Sequence, residues 1–258
     1  MSTRKRPIKK NGHIHPDDEP KLPVPVRRST RQSAGGGTHE EETHRGPEAD
    51  SGERMSAEPP RAPRRGTVHR RTKETDVVVA LELDGTGRSQ IETGIPFLDH
   101  MLEALARHSL IDLKVVARGD VEVDPHHTVE DVGLCIGRAL VDAMGDRAGM
   151  SRYGEATIPF DETLVRCAVD FSGRPAFIYK VAIAPGRVGT FDVELAEVFF
   201  NAITNEARMN LHLVLEYGSN RHHIVEACFK ALARAMLKAV EIDPRRNFQV
   251  ASTKGRLD

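Results

Sequence analysis

The stretch HHTVED at His126–Asp131 returns almost unchanged as HHIVEA at His222–Ala227. The first His, the second His and the Glu are each displaced by 96 residues: His126 to His222, His127 to His223, Glu130 to Glu226. Self-similarity at one fixed offset is the mark of a duplicated unit. Each copy opens an apolar run at helical spacing, with Val129, Val132, Ile136 and Leu140 on one face of the first. On a helix, the first His and the Glu stand at i and i+4, and the second His and the Glu at i and i+3. Both relations bring side chains to one face. Adjacent histidines point about 100° apart, so one helix most naturally offers its two imidazoles to two different metals.

The flanks repeat as well. Val77, Val79, Leu81 and Leu83 alternate as a strand that ends at the turn Asp84-Gly85-Thr86-Gly87. After Pro96, which suits a first helical turn, Phe97, Leu98, Met101, Leu102 and Leu105 recur at helical spacing. Leu113, Val115 and Ala117 alternate as a strand, and the first His-His helix follows. Strand-like stretches then cover Ala156–Phe160, Leu164–Phe171 and Ala176–Ala182. A helix over about Val193–Ala207, a strand over Met209–Tyr217 and a helix over His222–Val240 complete the second round.

Imidazole with carboxylate suits Mn, Fe, Co, Ni or Zn, and the lack of thiolate ligands argues against a structural zinc knot. A polar helix N-terminus explains one isolated HHxxE. Two copies at matching places of a repeat point to metal. His100, in FLDHML one helix before the first pair, reads as a further ligand.

Composition bounds the rest. The 258 residues carry 37 basic and 38 acidic side chains, a formal charge of −1. That excludes a globally basic nucleic-acid binder. No apolar run approaches the ~20 residues of a membrane helix. Three scattered cysteines and no leading apolar segment fit a reducing compartment, with the cytoplasm as the expected location. Residues 1–65 hold nine prolines and no aromatic side chain, with 14 basic against 10 acidic residues. Such a segment cannot offset its ordering entropy, so it reads as a disordered tail. The body, 66–258, divides into repeats at about 66–150 and 151–258.

TGIPFLDHML, HHTVEDVG, DFSGRP, HHIVEACFKALARA and STKG, in that order, resemble the imidazoleglycerol-phosphate dehydratase family over the whole body. The resemblance implies an α+β fold made of an internally duplicated half-domain, each half a four-stranded sheet backed by two helices. It implies a histidine-biosynthesis lyase that dehydrates imidazole glycerol phosphate to imidazole acetol phosphate through a metal-stabilised imidazolate. It also implies trimers that build a larger cubic-symmetry shell, with two Mn(II) per active site bound between subunits. Matched residue by residue, the ligands are His100, His126, His127, Glu130, His222, His223 and Glu226. Glu74 is the expected acid/base and substrate-binding residue. Arg152, Arg174, Lys230, Ser252 and Lys254 are the expected substrate contacts, since Arg offers forked and Lys point-charge contacts to phosphate.

The repeat breaks at one telling place. FLDHMLEAL at Phe97–Leu105 corresponds to LAEVFFNAI at Leu195–Ile203, which sets Val198 opposite His100. Val cannot ligate, so one metal position is expected to be weakened or to borrow Glu194, Glu197 or water. Val198 therefore favours a second reading, a non-catalytic metal-binding assembly paralogue. Glu74, Arg152, Arg174, Lys230 and Lys254 favour the enzyme, because a dead scaffold needs no phosphate pocket. A metallohydrolase fits less well, because the HExxH spacing is missing.

Overall fold

Val77, Val79 and Leu81 are fully buried on the strand that the second helix of their half covers, and Val78 and Ala80 between them are buried as well. The computed structural model describes residues 62–257, so the tail reading lies outside the described residues up to Arg61. The first half runs β1 (Arg65–Arg71), β2 (Thr75–Glu82), β3 (Ser89–Glu92), α1 (Pro96–Ser109), β4 (Asp112–Gly119) and α2 (His126–Met144). The second runs β5 (Tyr153–Phe160), β6 (Thr163–Asp170), β7 (Ala176–Lys180), a small hairpin β8 (Arg187–Val188) and β9 (Phe191–Asp192), α3 (Leu195–Ala207), β10 (Asn210–Tyr217) and α4 (Arg221–Val240).

The two main sheets have the same topology, β1-β2-β4-β3 and β5-β6-β10-β7. In each, three strands are antiparallel and the short edge strand is parallel to its neighbour. A parallel pair needs a crossover, and α1 and α3 supply it. The fold is therefore the α+β duplication that the repeat implies. β1 starts at Arg65, and Arg64 before it is buried, its guanidinium on Asp84 at 2.7 and 3.0 Å and on the Val240 carbonyl at 2.8 Å. Arg64 and Arg65 thus have their place in the first half of the fold.

The helices meet across the halves: α1 lies on α4 and α2 on α3. Phe199 and Phe200 of α3 meet Phe229 of α4 with ring centroids 5.0 and 4.7 Å apart, inside one core drawn from both halves. Close approach of α2 to α3 is made possible by Gly133 and Gly137, one turn apart. A Cβ on Gly133 would stand 2.9 Å from the Phe199 carbonyl oxygen, and one on Gly137 2.8 Å from that of Ile203. Asp131, the last residue of HHTVED, faces inward: it accepts from Arg70 Nε at 3.0 Å and from the buried Thr75 hydroxyl, tying the first turn of α2 to β1 and β2. Its repeat counterpart is the buried Ala227.

Gly137→Ala sets two effects against each other. Helix propensity favours Ala by about 1 kcal/mol. The clash with the α3 backbone cannot be relieved by a rotamer and costs about 1–3 kcal/mol, as overpacking does. The variant is therefore expected to unfold at lower temperature than the parent in a thermal melt, and an equal or higher melting point would show that α3 yields.

Candidate active site

Asn220 opens α4 as its N-cap, its side-chain oxygen accepting from the backbone N–H of His222 at 2.9 Å and of His223 at 3.4 Å. This fixes both histidines in the first turn. Their ring planes stand 79° apart, and those of His126 and His127 at the start of α2 stand 80° apart. On α4 the two imidazoles reach different partners, His222 meeting Glu226 and His223 meeting Glu162.

His100, on α1, does not join the His pair nearest to it in sequence. Because α1 lies on α4, it meets His222 and Glu226, and one ligand atom from each of the three lies within 4.8 Å of the others. His222 Nε2 is 2.9 Å and His100 Nε2 3.4 Å from Glu226 Oε2. Glu226 Oε1 accepts from Lys230 at 2.7 Å, and that ammonium also sits 4.0 Å over the Phe160 ring. Burial pushes the Glu226 carboxyl up, but its bonds from Lys230 and His222 outweigh this and hold it below the usual range. Two imidazoles and an ionised carboxylate converging from two helices form a donor set that fits a divalent transition metal.

The pseudo-symmetric place lies at α2 and α3. An open cleft of about 410 Å³ is lined there by His126, Phe177, Glu194, Glu197, Val198 and Asn201. Val198 thus stands beside His126 much as His100 stands beside His222. Among the described residues, the His100–His222–Glu226 group is the one convergent cluster of its kind, and His126 and Glu130 are not drawn into another. His127 Nδ1 is 3.2 Å from Asp120 and 3.9 Å from the half-exposed Glu74. The hydrogen bond to Asp120, followed by the nearby Glu74 charge, raises the His127 pKa. His223 Nδ1 meets Glu162 at 2.7 Å.

The expected phosphate residues divide. Arg152, Arg174, Ser252 and Lys254 line one cleft of about 710 Å³, together with Arg246 and Arg256. Lys230 is elsewhere, on Glu226. Arg152 reaches Asp170 with Nε at 2.6 Å and Nη2 at 3.0 Å, and the Ala251 carbonyl with Nη1 at 2.8 Å. It clamps the C-terminal segment to β6 and so builds the cleft wall. Sequence reasoning missed Arg246, Arg256, Asp120 and Glu162. A signal existed for Glu162 alone: Glu162-Thr163 repeats Glu74-Thr75 at the head of the equivalent strand.

The family model described as imidazoleglycerol-phosphate dehydratase matches residues 93–236, which hold every proposed metal ligand. The chain belongs to this family. It is 53% identical to the imidazoleglycerol-phosphate dehydratase of Geobacter metallireducens over 194 residues, 75% of this chain and 99% of that one. It is 54% identical to that of Synechococcus elongatus over 199 residues, 77% of this chain and 95% of that one. The dehydratase structure from Staphylococcus aureus matches with a TM-score of 0.64 at 38% identity, over 69% of this chain and 99% of its own. That from Pyrococcus furiosus matches at 0.65 and 35%, over 74% and 100%. The dehydratase reading of the sequence therefore stands: the activity is that of a lyase of histidine biosynthesis, taking imidazole glycerol phosphate to imidazole acetol phosphate. No helix among the described residues is long and apolar enough to cross a membrane.

Arg152→Ala removes the clamp between β6 and the C-terminal segment. Charge-assisted hydrogen bonds of this kind contribute about 1.5–3 kcal/mol each to local order. Trypsin is then expected to cut at Lys254 faster than in the parent while the main melt moves less. Unchanged cleavage would mean that the segment is held by other contacts.

Proposed function

We propose that the dehydratase is metal-dependent, with Mn(II) as the metal and two ions per active site. His100, His126, His127, Glu130, His222, His223 and Glu226 would hold them, shared between subunits of trimers that assemble into a larger cubic-symmetry shell in the cytoplasm. The observation that carries this reading is the convergence of His100, His222 and Glu226 from α1 and α4. His127 is turned to Asp120 and His223 to Glu162 rather than into that cluster, which suits completion of the site by another copy of the chain.

The reaction has one physical difficulty, because the hydrogen on the carbon next to the imidazole ring is only weakly acidic. A bound divalent ion supplies Lewis acidity at the ring nitrogens, where charge develops. Glu74 would move the proton: its carboxylate is half exposed at the head of β2 and stands beside His127, open to a substrate arriving from solvent. Arg174, Ser252 and Lys254 would take the phosphate in the basic cleft, with Arg152 holding the wall in place. Lys230 keeps Glu226 ionised and thereby keeps the donor set competent.

Val198 supports a second statement about the same site: one metal position is weaker than the other. The side chain is half-buried and lines an open cleft, so His at this place needs little repacking.

Chelation of the purified protein is expected to abolish dehydration of imidazole glycerol phosphate and to shrink the assembly, with Mn(II) restoring both. Full turnover in protein shown to be metal-free would overturn the metal reading. Val198→His is expected to raise the Mn(II) bound per chain at limiting metal, read by titration calorimetry, and to lower the metal needed for full rate. Tight binding of two ions per chain by the parent would show instead that another residue already supplies the missing ligand.

A further inference from the structure

The duplication places the same dipeptide at the same corner of each half. Glu74-Thr75 precedes and opens β2, and Glu162-Thr163 precedes and opens β6. Both threonines are buried. Each glutamate faces the second histidine of its own half, but at different distances: 3.9 Å from Glu74 to His127, 2.7 Å from Glu162 to His223, both at Nδ1.

The difference has a visible cause. In the first half, the near position at His127 Nδ1 is taken by Asp120, the residue that follows β4, at 3.2 Å. In the second half a β-bulge before Tyr217 sets Gly218 beside Thr163, as Gly119 lies beside Thr75, so the residue in the place of Asp120 is Ser219, which carries no carboxylate. Glu162 occupies the position instead. Its other oxygen, Oε1, accepts from the backbone N–H of Ser219 at 3.2 Å and of Asn220 at 2.8 Å, the segment that leads into the cap of α4. One carboxylate therefore holds both the imidazole and the backbone that carries it. Asp161 lies 3.7 Å from the Nε2 side of the same ring, beyond hydrogen-bond reach.

We infer that Glu162 is a positioning residue for the dehydratase: it fixes His223 with the proton on Nδ1 and the lone pair on Nε2, ready for a divalent metal, while its repeat counterpart Glu74 is left to meet substrate. The inference rests on the metal reading above. An ionised carboxylate can only accept, so the ring nitrogen facing it must donate. Metal-ligating histidines characteristically give their second N–H to such an oxygen. Asp120 does this for His127, and that is what allows Glu74 to stand back.

Glu162→Gln tests the assignment because it keeps size and reverses polarity. The amide oxygen can still accept from Ser219 and Asn220, while the amide nitrogen facing Nδ1 can only donate, which drives the ring proton to Nε2 and removes the ligand lone pair. Metal-stripped parent, Glu162→Gln and Glu162→Asp are titrated with Mn(II), free ion being read by electron paramagnetic resonance, and the stripped proteins are melted in parallel. The expected result is Mn(II) binding by the parent, loss of about 10–100-fold in affinity at one class of site in Glu162→Gln, partial recovery in Glu162→Asp, and stripped melting points that agree. Parent-like affinity in Glu162→Gln overturns the role of Glu162 and leaves the metal reading intact. A loss of affinity matched by a lower stripped melting point overturns it too, since the residue is then only structural. A parent that takes up no Mn(II) overturns the metal reading, and this assignment with it.

Discussion

The approach of α2 to α3, set by Gly133 and Gly137, is the constraint on which the remaining geometry depends. With no Cβ at either place, the backbones of α2 and α3 come close, and one core is drawn from both halves. Neither half closes its core alone. The sheet of each half covers one face of its helices, and the other face is covered by the helices of the second half. Pairing α1 with α4 and α2 with α3 follows from that arrangement. It decides which polar side chains meet, because the His and Glu residues ride near the N-terminal ends of these helices.

This explains why a motif duplicated at 96 residues does not build two sites each belonging to one half. His100 lies 26 residues from His126 and more than a hundred from His222, yet it meets His222 and Glu226. The partner of each helix is chosen by core packing, and the polar cluster is a by-product of that choice that the chemistry then uses. Polar atoms left at such a junction must be satisfied, and Glu226 is, by His100, His222 and Lys230 together.

Most of the regular structure was legible, for reasons that also account for the exceptions. Helices α1 to α4 show the 3.6-residue period because one face of each is buried, and β4 and β6 alternate because their sheets are covered by helices on one side. β1 escaped because its sequence, RGTVHRR, is an edge strand with one buried side of little apolar content: its residues are exposed or half-buried apart from Gly66. β3 has four residues and no buried side chain, so it carries no period at all. In the site, the ligand candidates were legible because metal chemistry restricts the residue types. The basic cleft was legible only in part. Arg246 and Arg256 lie in an irregular C-terminal segment where no period separates a cleft wall from a solvated cation, and Lys230 lies outside that cleft, on its i,i+4 neighbour Glu226.

The two halves differ most where they touch the chemistry. His100 is answered by Val198, and Asp120 by Ser219. Each exchange removes an imidazole or a carboxylate from one half and leaves its counterpart in the other, so the duplicated scaffold holds unlike sites in like surroundings. A duplicated fold has this freedom because the helix pairing that brings the first turns together depends on the core and its two glycines, and not on the side chains those turns present. The polar groups can then diverge one at a time without a cost to the fold: the loss of Asp120 in the second half is offset by Glu162 reaching the same ring nitrogen from the opposite strand corner. Glu74 and Glu162, equal by descent within the chain, are thereby put to different uses by a single missing carboxylate after β10.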